Sequence, residues 1–113
     1  MPLPRVSDLN GWSRLMQDKV NGPKISEYAK KTQNDDLLKF LVLMKAGHKG
    51  KNEYDLFIKR GAKYQLNIDD DVREEFDAVA ATKPAPNWAK APWAAVTTTI
   101  LGYFNTNIGA KLK

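Results

Sequence analysis

The chain has 113 residues, 42% hydrophobic and 27% charged, with 18 Lys and Arg against 13 Asp and Glu for a formal net charge of +5. That length fits one soluble domain with a real core and is too short for two. The absence of cysteine excludes disulfide frameworks, zinc knuckles and thiol nucleophiles, and a single histidine, His48, removes most metal sites and any catalysis that needs two imidazoles.

The longest apolar run, Phe40 to Met44, falls far short of the roughly 18 residues of a membrane span. The amino terminus, with its two prolines, does not read as a secretory signal, so a cytoplasmic location is expected. Residues 69 to 77 hold six of the thirteen acids, which makes the rest of the chain more basic than +5 suggests. Such asymmetry can steer a charged partner, but charged helix faces are ordinarily just solvated.

Apolar spacing predicts helices almost throughout. Met1 to Val6 reads as an extended lead-in. Leu9, Trp12, Leu15, Met16 and Val20 define an amphipathic helix that stops before Asn21-Gly22. Pro23 suits the first turn of a second helix with Ile25, Tyr28 and Ala29 inward, since its missing N–H needs no partner there. Asn34 is placed to cap a third helix, with Asp35 and Asp36 in the first turn where the dipole favours acids. Leu37, Leu38 and Phe40 to Met44 make that helix apolar on nearly every side, which belongs in the middle of a bundle. Gly47 ends it, before a short basic loop from His48 to Lys51.

Asn52 opens a fourth helix, with Tyr54, Phe57 and Ile58 inward and Gly61 as its expected terminator. Tyr64-Gln65-Leu66 reads as loop. Asn67 or Asp69 then caps a helix with Val72, Phe76, Val79 and Ala80 inward and an exposed Asp69–Arg73 pair. Three prolines in the eleven positions from Thr82 to Pro92 make a stiff connector, with room for one helical turn at Asn87 to Lys90. The last helix runs from Trp93 through Val96, Ile100, Leu101 and Phe104 and weakens after Asn105. The expected architecture is a single all-α domain over residues 1–113, a compact bundle of about six or seven short helices with no sheet.

No enzyme template fits. The seven glycines form neither phosphate-binding loop pattern, and Asp69-Asp70-Asp71 lack the spacing of a calcium loop and read as a helix start. His48, between Gly47 and Lys49, reads as an exposed loop residue. The basic residues around Tyr64, from Lys59 to Lys63, are too few to predict a nucleic-acid site, so no nucleic-acid partner is expected.

The ungapped block Tyr54-x-x-Phe57-Ile58-x-x-x-Ala62-x-x-x-Leu66-Asn67-Ile68-Asp69-x-x-x-Arg73-Glu74-Glu75 resembles the signature stretch of regulator of G-protein signalling (RGS) domains. Leu15, Met16, Gly22, Ile25 and Tyr28 upstream, and Trp93, Val96, Ile100, Leu101, Tyr103 and Phe104 downstream, continue the likeness. The resemblance implies an RGS-like bundle that binds a heterotrimeric G-protein α subunit and accelerates its GTP hydrolysis, acting as a monomer and without a cofactor or catalytic group of its own. It also places the chain in the cytoplasm at the inner face of the plasma membrane, with peripheral contact to anionic lipid left open by its basic surface. In that family the α subunit supplies Mg²⁺, an arginine and the glutamine that orients water, while the RGS domain clamps the switch regions.

By the same resemblance Asn67 matches the asparagine that reaches the glutamine, a role that competes with helix capping. The family's Glu-Asn contact pair falls on Asp35 and Asp36, or on Asp36 and Leu37 if Phe40 sets the register. If Trp93 sets the register, the family's later Asp-Ser-x-x-Arg falls on Asn107, Ile108 and Lys111; a register set from Trp88 gives poorer matches. An amide thus replaces a carboxylate, and a lysine replaces a bidentate arginine. These departures keep a second reading open, a non-catalytic RGS-like interaction or scaffold module.

Overall fold

A computed structural model describes residues 5–112. Among them there are six helices and no strand: α1 (Leu9–Gln17), α2 (Asn21–Lys31), α3 (Asp35–Lys45), α4 (Lys51–Glu53), α5 (Asp70–Ala80) and α6 (Trp93–Phe104). Two of them run on into π-turns, α4 through Tyr54–Ile58 and α6 through Asn105–Gly109. The all-α class expected from the sequence therefore holds. The fold is elongated, 50 × 24 × 19 Å. Most of the lead-in, residues 1–4, lies outside the described residues.

The ends of the helices show how local chemistry sets the topology. Asp8 caps α1, its carboxylate accepting the Gly11 N–H at 2.7 Å. Asp18 then turns the chain: it is extended, and its carboxylate accepts the N–H groups of Val20 and Asn21 at 3.0 and 2.7 Å. Val20 consequently sits in the link at 61% exposure and not on the inner face of α1, as its spacing predicted. Gly22 lets α2 cross close behind α1, because a Cβ there would collide with the carbonyl oxygen of Met16.

The C-terminus of α3 closes at Gly47, whose φ of +85° lets its N–H reach Met44 O at 3.1 Å while the His48 N–H reaches Leu43 O at 2.9 Å. The turn after α2 uses the same pair of bonds, Gln33 to Lys30 and Asn34 to Ala29, yet it places a non-glycine, Gln33, at φ 60°. Asn34 stands at the start of α3 but does not cap it; its amide turns back to Thr32 Oγ1 at 2.8 Å. Fully buried Ile25, Ala29, Phe40 and Leu41 join α2 and α3, and α3 packs against α1, α2 and α6, the central position its apolar surface predicted. One part of that surface, Val42, reaches solvent.

The fourth helix ends earlier than expected. Its last turn is a π-turn, with the Lys59 N–H bonded to Tyr54 O at 3.0 Å, and Lys59 is already extended, so Gly61 shapes the following loop. The connector carries its helical turn at Trp88–Lys90, capped by Asn87, and an aromatic run from Tyr54 through Trp88 and Trp93 to Phe76 fastens it to α5. The regular part of the final helix ends at Phe104, as the weakening after Asn105 implied, and the chain winds on as a π-turn over Asn105–Gly109. Asn105 itself is buried, donating to Val6 O at 2.8 Å and accepting from Val6 N at 2.9 Å across 99 residues of sequence.

Candidate interaction surface

The signature block folds into the π-turn, an irregular loop over residues 59–69, and α5. Tyr64, Gln65 and Leu66 form no strand, as expected; the Tyr64 and Leu66 N–H groups bond to Leu56 O and Phe57 O, each at 2.9 Å. Leu66 and Ile68 insert into the core at 3% and 8% exposure, which leaves Asn67 between them facing solvent.

What holds this loop is Arg73. The periodicity placed it on an exposed face with Asp69, but it is 4% exposed and its guanidinium is spent on backbone carbonyls. Nε donates to Ile58 O at 2.8 Å, Nη2 to Leu66 O at 2.9 Å and Nη1 to Ile68 O at 3.5 Å. Its carboxylate partner is Asp70, not Asp69, at 3.3 Å from Nη1, and Arg60 meets the same oxygen at 3.2 Å. A planar fork of five donors suits this work, because one rigid group satisfies three separate carbonyls that the irregular loop would otherwise leave unpaired. Asp69, not Asn67, is the residue at the start of α5, and neither side chain caps that helix. The capping role weighed for Asn67 is therefore not the one it fills.

Arg60, Gln65, Asn67, Asp69, Asp70 and Arg73 surround a polar concavity of about 550 Å³. The other residues named by resemblance lie elsewhere. Asp35 and Asp36 occupy the first turn of α3, where Asp35 pairs with Lys39 at 3.5 Å and lines a separate, apolar groove that also includes Tyr64. Leu37 is in the core at 9% exposure and is not free to touch a partner. Asn107, within the C-terminal π-turn, and Lys111, just beyond it, are exposed on either side of buried Ile108 and line neither concavity. The loop between α4 and α5 thus lies beside the first turn of α3 through Lys39, whose ammonium sits 4.3 Å from the Tyr64 ring centroid.

Among the described residues no group of three or more His, Cys, Asp or Glu side chains is placed to hold a metal ion, and no helix is long and apolar enough to cross a membrane. The two residues that sequence reasoning missed, Arg73 and Asn105, are the two buried polar side chains among the described residues. Arg73 had a signal, since it stands within the signature block; Asn105 had none. Comparison with protein-family models, curated proteins and solved structures finds no match to this chain.

Proposed function

We propose that this chain is an RGS-like GTPase activator: it binds a heterotrimeric G-protein α subunit and holds its switch regions in their arrangement for GTP hydrolysis. The observation that carries the reading is the presentation of Asn67. Its amide faces solvent between two buried residues, on a loop whose carbonyls are tied down by a buried guanidinium. A backbone so held presents the amide from a fixed position, which lowers the cost of ordering it when it orients a partner's glutamine or water, as transition-state stabilisation by a positioned polar group requires. The α subunit brings the metal, the arginine and the nucleotide; this chain adds position only. Such a role places it in the cytoplasm, at the membrane face where its partner resides.

Single-turnover GTP hydrolysis by an α subunit tests this. Wild type accelerates the rate, and Asn67→Ala lowers that acceleration by about tenfold or more. No acceleration with any class of α subunit, or full activity in Asn67→Ala, removes the proposal.

The second reading, an interaction module without GTPase activation, draws on Leu37, which is buried, and on Asn107 and Lys111, an amide and a lysine where the family uses a carboxylate and an arginine. Equal binding to the GDP, aluminium-fluoride and GTP-like forms of an α subunit, or to none of them, favours it.

A further inference from the structure

The apolar excess of α3 surfaces at Val42, which is 55% exposed and one of two exposed large hydrophobic side chains among the described residues. Val42 and Leu43, with Leu56 from the π-turn and Tyr64 from the loop, line a groove of about 510 Å³ whose floor is the buried pair Leu38 and Phe57. Its rim is basic. Lys30 of α2 and Lys39 of α3 form its walls, and Lys63 stands with its ammonium 5.2 Å from the Tyr64 ring centroid. Asp35, the one acid among the lining residues, is already paired with Lys39.

We propose that this groove docks an acidic amphipathic helix of a partner protein. A contiguous apolar strip with a charged rim marks an interaction site more often than a bare surface. The described residues contain no strand whose edge could accept an extended peptide, so recognition here rests on side-chain anchors, the helix-in-groove mode. With Asp35 and Lys39 paired to each other, Lys30 and the neighbouring Lys63 leave an excess of positive charge that selects a partner whose apolar stripe is bordered by Asp and Glu, and repels a basic one. An anionic bilayer shares that charge, but a flat surface cannot fill a recess whose floor is Leu38 and Phe57, and membrane-binding faces need apolar groups that stand out from the surface. The site is distinct from the Asn67 concavity and the proposal does not depend on the α-subunit reading.

The probe is a designed helical peptide of 15 residues with leucines at i, i+3, i+4 and i+7 and glutamates on its flanks, tested beside the same peptide with lysines in place of the glutamates. Fluorescence anisotropy measures binding, and amide chemical shifts of the full chain map it. The glutamate peptide binds and moves the signals of Val42, Leu43 and Tyr64, and the lysine peptide binds at least about tenfold more weakly. Val42→Glu abolishes binding, and Lys30→Glu weakens it by about fivefold and flattens its salt dependence. Both positions are exposed, so the variants keep the fold, as far-ultraviolet circular dichroism will show.

Failure of the glutamate peptide to bind, equal binding of the two peptides, or shifts outside the groove overturns the proposal. So does sedimentation of the free chain as a dimer that Val42→Glu disperses, which gives the groove to a second copy. Binding to vesicles of phosphatidylcholine and phosphatidylserine that Val42→Glu abolishes gives it to a membrane and likewise overturns it.

Discussion

The 59–69 loop is a wall shared by two concavities of nearly equal volume, about 550 Å³ on the Asn67 side and about 510 Å³ on the Tyr64 side, and they are built by opposite means. The Tyr64 side rests on packing: Phe57 is buried against Phe40 and Tyr64, with ring centroids 5.5 and 5.7 Å away. The Asn67 side rests on one cation whose donors are distributed over three backbone carbonyls. Packing is graded, since a half-buried ring can shift and still keep most of its contacts, whereas a carbonyl is either met by a donor at a usable angle or left unpaired. An apolar groove held by packing suits an adaptable partner. A polar surface held by a fork of hydrogen bonds suits a fixed geometry, as positioning a reacting group demands.

The largest expected effect breaks the polar support. Arg73→Met keeps the unbranched apolar stem of the side chain but removes the guanidinium and leaves the carbonyls of Ile58, Leu66 and Ile68 without its donors. The expected loss is about 3 kcal/mol or more of unfolding free energy in chemical denaturation. Because the wall is shared, amide signals of Asn67 and of Tyr64 should both move. A loss below about 1 kcal/mol would mean that the loop is held by Leu66 and Ile68 alone, and the contrast between the two sides would collapse.

That arginine also marks where sequence reading stopped. The helix order, the central place of α3, the loop at Tyr64 and the turn at Trp88–Lys90 were legible because apolar period, proline and glycine act locally. Arg73 was assigned to a solvated face because an i, i+4 acid lay within reach, and spacing along a helix says nothing of a loop folding back over it. Asn105 failed for the same reason at longer range, as its partner Val6 is 99 residues away. Val20 was misplaced by a local signal of another kind: Asp18 draws the Val20 and Asn21 N–H groups to itself and ends the period. Of the candidate site, Asn67 was legible as a short polar residue before a helix. That it is not the cap depended on where α5 begins, which is a matter of one turn.

A smaller effect tests the groove side. Gln33 closes α2 with φ 60°, a region that side chains enter at a cost and glycine enters freely, immediately before the turn that carries Asp35. Gln33→Gly should raise stability by about 0.5–1 kcal/mol, the relief of strain being partly offset by the freedom glycine gains in the unfolded chain. If the groove is a packed and adaptable surface, peptide binding should be unchanged in this variant. A drop in binding would show that the turn, and not the side chains of α3, sets the groove.

A pH-dependent effect lies at the joint between the two regions, where the Tyr54 hydroxyl donates to an Asp77 carboxylate oxygen and ties the π-turn to α5. Burial, followed by that hydrogen bond and the negative charge of Asp77, pushes the Tyr54 hydroxyl from its ordinary 10.0 to about 12. Between those values the folded chain keeps a proton that the unfolded chain has lost. The contribution to stability is therefore complete below about pH 10 and disappears as the pH rises through about 12. Tyr54→Phe removes this dependence, so the difference in unfolding free energy between wild type and variant should shrink steadily across that interval while staying constant from neutral pH to about pH 9. Lysines and the other tyrosines titrate in both proteins and cancel in the difference. A difference that is flat across the whole range would mean that the hydroxyl does not tie α5 to the π-turn. The attachment of the polar concavity to the rest of the bundle would then fall to Arg73 and to the buried side chains of Leu66, Ile68 and Phe76.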